Sequence, residues 1–135
     1  KYDFLPEIWQ SMGVVQYIHG VRQKPGKPMW FGVDHESRTL ILGLPGNPVS
    51  ALVCLHRYLL NRVTFSGRLE QPISYQPDMT YFVPVKINNK CGFTPITPQN
   101  SGDFITLANS DGFVELSYNQ KVFLTEEDCL FYPWY

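Results

Sequence analysis

The chain has 135 residues and a formal net charge of −1; 44% of it is hydrophobic and 17% charged, the composition of an ordinary globular protein rather than a disordered or membrane-embedded one. So small a charge gives no global field to draw in nucleic acid, any anion site has to be local, no apolar run approaches the ~20 residues that span a bilayer, and no N-terminal stretch reads as a signal peptide. Cys54, Cys91 and Cys129, like His19, His35 and His56, lack metal-ligand spacing, so the cysteines read as free buried thiols of a reducing cytosol.

The opening "KYDFLPEIWQSMG" predicts a helix with Asp3 as N-cap, Glu7 in the first turn where the dipole favours an acid, and Phe4, Ile8 and Met12 on one face. Gly13 suits its C-cap. The β-branched run "VVQYI" predicts a buried strand. "KPGKPMW", residues 24–30, cannot be helical. Pro25 and Pro28 push Lys24 and Lys27 towards extended geometry, and Gly26 between them allows positive φ. "MWFGV" predicts a second strand, Asp34 to Ser37 a polar turn, and "TLILGL" a third strand apolar enough to be covered on both faces. In "PGNPVSALVCLHRYLL", Asn47 caps a helix with Pro48 at its first position. Val49, Leu52, Val53, Leu55, Leu59 and Leu60 then form an apolar stripe over roughly four turns. Strand, glycine loop and helix make residues 1–66 an α/β unit.

From Phe65 to Met79 turn formers dominate and no helical period survives, which predicts a hinge or domain boundary. Beyond it, "TYFVPVKI", "GFTPIT", "GFVELS", "KVFLT" and "DCLFYP" are short β-prone runs divided by Asn, Gly, Asp and Pro. That spacing predicts a small antiparallel barrel or sandwich over residues 67–135, interrupted by one short helix in "DFITLANSDG" that ends near Gly112.

Lys24 and Lys27 repel each other, so the loop carrying them is either a plain solvated connection or a site built for an anion. "LPGNPVS" leaves a strand and opens a helix, where unpaired backbone N–H groups, the helix dipole and the Ser50 hydroxyl suit an oxyanion. A routine glycine turn with an N-cap is the other reading. Both loops follow strands of one apparent sheet, and such loops gather into one crevice in open α/β sheets. Two lysines, a helix start and a seryl hydroxyl meeting there make a phosphate or tetrahedral-oxyanion site. Asp3 is then either a plain cap or a carboxylate at the crevice edge, for a divalent cation or a proton. Ser101, in "QNSGDF", lies in a polar loop where a turn role is the default, and Trp9, Trp30 and Trp134 read as core or interface residues.

"KPGKP" before an apolar strand, then "GLPGNPVSAL", then "NSGDFITLANSDGFVEL" together resemble the molybdopterin molybdenumtransferase family, which includes the E domain of gephyrin and its plant counterparts. The resemblance covers essentially the whole chain, and the order of the two loop motifs makes it specific. It implies the end of a molybdopterin-binding α/β domain followed by a C-terminal β-barrel domain. It also implies a role in molybdenum cofactor biosynthesis: insertion of molybdate into adenylylated molybdopterin, with release of AMP and assistance from Mg²⁺. On matching positions, Lys24 and Lys27 would hold molybdate and Pro28 would shape that pocket. Gly46, Asn47 and Ser50 would contribute from the helix start, Ser101 would be the barrel's hydroxyl, and Asp3 would act near the metal or phosphate. A cytoplasmic homodimer acting on small molecules, without nucleic-acid or membrane partners, completes what the resemblance implies.

Two departures stand out. The family's barrel carries an arginine near its first strand where this chain has Pro84, and Lys86 is the nearest substitute, a point charge in place of a bidentate fork. The "GGVS"-type loop and the elongated region that precede Tyr2-Asp3 in the family are also missing, so the expectation is a piece of a longer enzyme, inactive alone. Two rivals remain: a standalone molybdopterin adenylyltransferase, against which the trailing barrel argues, and a gephyrin-like scaffold that binds peptides near the barrel.

Overall fold

The computed structural model describes residues 3–60, 62, 65–75, 78–88, 92–98, 103–118, 122–123, 125 and 127–135. Helix α1 (Leu5–Ser11) is capped at Phe4 rather than Asp3; Asp3 sits one residue further out, where its carboxylate accepts the Leu5 N–H at 3.2 Å. Gly13 follows at φ +86, as a helix C-cap requires.

Strands β1 (Val15–His19), β2 (Gln23–Lys24), β3 (Trp30–Asp34) and β4 (Thr39–Gly43) come next. β1, β3 and β4 form an antiparallel meander in that order. β1 and β4 therefore run the same way, and His19, Trp30 and Gly43 pair in one row at the end from which both loops of interest leave. Burial corrects two expectations. β1 is exposed at every position, because it is an edge strand, and β4 is half-covered at best, with Leu40 at 72% exposure. Helix α1 covers part of the sheet at the row of Trp30 and Gly43, where Trp9 packs on Trp30 with ring centroids 4.5 Å apart.

Helix α2 (Pro48–Cys54) starts at the predicted cap: the Asn47 side chain accepts the Ser50 N–H at 3.1 Å. It then continues as a π-helix, Leu55–Leu60. The wider π turn rotates later side chains off the α-helical stripe, so His56 is buried while Leu59 and Leu60 reach the surface, contrary to the predicted stripe.

The second half holds β5 (Phe65–Leu69), β6 (Ile73–Ser74), β7 (Thr80–Ile87), β8 (Gly92–Pro95), α3 (Phe104–Ala108), β9 (Gly112–Leu116), β10 (Val122–Phe123) and β11 (Asp128–Pro133). The chain order β7-β8-β5-β11-β9 closes through a β7–β9 ladder into a five-stranded barrel, and β6 pairs with β10 beside it. The stretch read as a hinge thus supplies a barrel strand. Phe65 to Leu69 pairs with both β11 and β8, which a local reading of turn formers does not reveal. α3 lies where the sequence places it, with Asp103 accepting the Thr106 N–H at 3.0 Å, and ends at Ala108.

The barrel core joins Leu69, Val85, Phe93, Val114, Leu116 and Phe131, and Val53 of α2 packs into a neighbouring cluster with Phe82, Phe113 and Tyr132. The two halves also share a ladder, since β2 adds to β7 in parallel. One edge of β7 is divided: Thr80 and Tyr81 take β2, whereas Val85 to Ile87 take β8. Pro84 falls between those partners, with its carbonyl accepting the Ile96 N–H at 2.8 Å, so its missing N–H deprives no ladder bond on that edge.

Candidate functional site

Residues 20–29 leave the sheet as a closed loop. Its base is tied by Gly20 N–H to the Met29 carbonyl and Val21 N–H to the Lys27 carbonyl, each at 2.8 Å. At its tip the Lys24–Pro25 peptide is cis and Gly26 has φ +98, a conformation side-chain-bearing residues avoid. A Cβ at Gly26 would lie 2.5 Å from the Gln23 amide nitrogen and 2.6 Å from the Cys54 sulfur, so space as well as φ demands glycine.

This loop forms one wall of a cavity of about 810 Å³ between the two halves, to which it contributes residues 23–27. Val49, Ser50 and Val53 of α2 form a second wall, and the barrel side supplies residues 71–74, 81–84 and 95–98 with Asp103, Thr106 and Leu107. Lys24 and Lys27 are both exposed towards it. The Lys24 ammonium lies 5.6 Å from the centre of the Tyr81 ring, held there by a cation–π contact and by the β2–β7 register that sets Lys24 opposite Tyr81. Against these cations stands one lining carboxylate, Asp103, which accepts both the N–H and the hydroxyl of Thr106. The rest of the lining is mainly apolar.

Among the residues singled out from the sequence, the fold brings Lys24, Lys27 and Ser50 to this cavity. Asn47 acts as the α2 cap behind it, and because the cap occupies the Ser50 N–H, the serine's hydroxyl is what remains for a ligand. Pro28 and Gly46 are exposed and do not line the cavity; a Cβ at Gly46 would meet nothing within 4 Å. Asp3 is exposed at the α1 start and is not part of the lining either. Ser101 and Cys91 lie outside the described residues. Pro84 lines the cavity, whereas Lys86 lines a separate cleft of about 570 Å³ beside Phe104 and Trp134. The convergence of the two loops does come about, by a different route from the expected one. The meander makes β1 and β4 parallel to each other without a parallel sheet.

Sequence reasoning missed what lies beneath the loop. Gln23 is buried, and its side chain bonds the loop tip, the Cys54 sulfur and the Tyr58 hydroxyl. Burial pushes the Cys54 thiol up to about 11 from an ordinary 9.0, so it stays protonated under the loop. Next to Tyr58, Arg57 donates to Glu115 at 2.7 Å, and Glu115 also accepts the Tyr132 hydroxyl at 2.9 Å. Burial opposes the charge on Arg57, but its hydrogen bond and ion pair with Glu115 hold its pKa above the ordinary value. Burial and Glu115 both raise the pKa of Tyr132. Nothing local showed that Tyr81 would face the site, and nothing local marked Gln23.

The site can hold a compact dianion between two ammonium groups and a hydroxyl, with an apolar wall for a larger body attached to it. Among the described residues no group of three His, Cys, Asp or Glu side chains is placed to hold a metal ion. No helix among them is long and apolar enough to cross a membrane.

Comparison with known proteins now bears on the site. Residues 66–134 match the family described as the MoeA C-terminal region (domain IV), and residues 1–64 match the one described as a probable molybdopterin binding domain. A molybdopterin molybdenumtransferase from Synechocystis sp. is 51% identical over 99% of this chain and 35% of its own length. Another from Bacillus subtilis is 26% identical over 98% of this chain and 36% of its own. The chain thus spans about a third of the curated relatives it matches. A solved molybdopterin biosynthesis MoeA protein of Pyrococcus horikoshii superimposes with a TM-score of 0.70 at 24% identity, over 89% of this chain and 32% of that one, which shows a shared fold. Because the C-terminal match takes in more than half of the chain and the α/β match nearly all the rest, the chain belongs to the MoeA family of molybdopterin molybdenumtransferases.

Proposed function

We propose that this chain carries the oxyanion-binding part of an enzyme of molybdenum cofactor biosynthesis, one that inserts molybdate into adenylylated molybdopterin with release of AMP. The observation that carries the reading is the convergence of Lys24, Lys27 and Ser50 on one cavity with an apolar wall. Molybdate is a tetrahedral dianion. An ammonium group about 4 Å from a single negative charge contributes roughly 4 kcal/mol at the effective dielectric of a protein surface, and about twice that from a dianion, before the cost of taking the ion out of water. Lys24 and Lys27 supply that charge, Ser50 donates a hydroxyl, and the apolar wall faces the bulk of the second substrate. The expected division after residue 66 would cut β5, which opens the barrel at Phe65, so the reading places the boundary just ahead of that strand, where the two family matches meet between residues 64 and 66.

Mg²⁺ does not fit the residues at hand. Asp3 offers one exposed carboxylate away from the cavity, no group of three His, Cys, Asp or Glu side chains is placed to hold a metal ion among the described residues, and Asp103 is engaged by Thr106. The reading carries with it a cytoplasmic homodimer for the intact protein and inactivity of the 135-residue piece by itself.

Calorimetric titration of the intact protein with molybdate, sulfate serving as competing dianion, tests the site. In the Lys24→Ala/Lys27→Ala double variant, affinity should fall by about two orders of magnitude or more, in line with loss of two charge-assisted contacts. Unchanged binding in that variant would move the oxyanion elsewhere.

A further inference from the structure

We infer that Gln23 is a positioning residue: it holds residues 24–27 in the shape that brings two ammonium groups together, and so sets the affinity for molybdate without touching it. The inference rests on the proposed oxyanion site. Gln23 is 2% exposed, and a polar side chain so deeply buried is stable only where its hydrogen bonds are made. Its amide nitrogen lies 3.3 Å from the Pro25 carbonyl, 3.4 Å from that of Gly26 and 3.4 Å from the Cys54 sulfur, and its carbonyl accepts the Tyr58 hydroxyl.

The backbone bonds of Gly20 and Val21 close the base of the loop but leave the carbonyls at its tip. Among the described residues those two carbonyls are held by the Gln23 amide, with only a long 4.0 Å approach of the Cys54 thiol to Gly26 besides. The lock is anchored outside the loop. Tyr58 adjoins Arg57, whose guanidinium sits 5.5 Å from the Tyr58 ring and 5.4 Å from the Tyr132 ring while paired with Glu115 of the barrel. Two cations on an untethered tip would separate to relieve their repulsion. A tip fixed in advance meets that cost during folding rather than at binding, which is how preorganisation raises affinity.

Three variants of the intact enzyme separate the parts of this lock. Gln23→Met keeps length and removes donors and acceptor; Gln23→Glu keeps the acceptor for Tyr58 and removes the donors; Tyr58→Phe removes one hydroxyl. The two Gln23 variants should each weaken molybdate binding about tenfold, and Tyr58→Phe about two- to fourfold, the range for lost buried hydrogen bonds. The KM for molybdate should rise in step, with kcat regained at saturating molybdate. A purely structural role would instead lower thermal stability and the active fraction and leave the KM unmoved, which overturns the inference. The lysine double variant, run in parallel, distinguishes the failures. If it binds molybdate as wild type does, the site itself is misassigned. If it loses binding while both Gln23 variants keep it, the role of Gln23 alone is refuted. Should neither Gln23 variant fold, Tyr58→Phe decides, and wild-type affinity there refutes the lock.

Discussion

The barrel and the three-stranded meander are both built from short β-branched and aromatic runs, yet they bury them very differently. In the barrel every strand has two neighbours and the sheet closes on itself, so Phe93 and Phe131 sink to 1% exposure or less inside it; Phe113 and Tyr132 are as deeply buried in the neighbouring cluster that Val53 and Trp134 cover. In the meander β1 has one neighbour, and Phe4, Met12, Tyr17 and Leu40 remain more than half exposed. Closure, rather than composition, makes the difference, because a barrel needs no second layer to fill its inner face. The first half meets the barrel outside the meander, through β2 on β7, Val53 in the aromatic cluster and Arg57 on Glu115. The site lies along that same seam.

The sharpest way to break the comparison is to open the barrel core. Phe131→Ala removes a ring packed within 5.3 Å of Phe93 and 5.2 Å of Phe65, and should cost about 3–5 kcal/mol in denaturant unfolding. A loss below 1 kcal/mol would show that the barrel is not the stable half. Next in size is the seam. Arg57→Ala leaves Glu115 partly buried without its cation and should cost about 1.5–3 kcal/mol. Glu115→Gln keeps a hydrogen-bond acceptor and should cost less, a ranking that chemical denaturation of both variants can reverse or support.

A smaller effect is set by pH. His56 is buried edge-on to Trp134, and burial first, with the Arg62 charge adding to it, holds its pKa below the ordinary 6.5 despite an opposing hydrogen bond with the Pro133 backbone. Its Nδ1 has no hydrogen-bond partner. The unfolded chain therefore takes up a proton first as pH falls, so stability drops from 6.5 downward through the folded-state pKa. His56→Phe should flatten that part of a thermal-midpoint against pH curve, and an unchanged slope would assign the acid sensitivity to other groups. Smallest of all, Leu40→Ser on the open meander should shift stability by no more than about 0.5 kcal/mol, against the several-fold larger loss at Phe131. A large loss at Leu40 would mean that its face is covered.

Much of this was legible in the order of residues. Asn47 and Pro48 specify a helix start through chemistry within three residues, Gly13 ends a helix by its own φ, and β7 runs from Thr80 to Ile87 as its β-prone composition predicts. The stiff pair of prolines around Gly26 marked Lys24 and Lys27 as either a solvated connection or a candidate anion loop, and the fold set both on the cavity. Such features depend on neighbours in the chain. The partners of β5, the two-residue strand β2, the π turn that buries His56 and the burial of Gln23 depend on residues 30 or more positions away or on the summed twist of a closed sheet. So do the failures: β1 looked buried because its residues are apolar, but burial belongs to whichever surface arrives to cover it. The sequence by itself determined which side chains could bind an oxyanion; the tertiary structure decided which of them meet, because convergence is a property of strand direction and closure that no local pattern encodes.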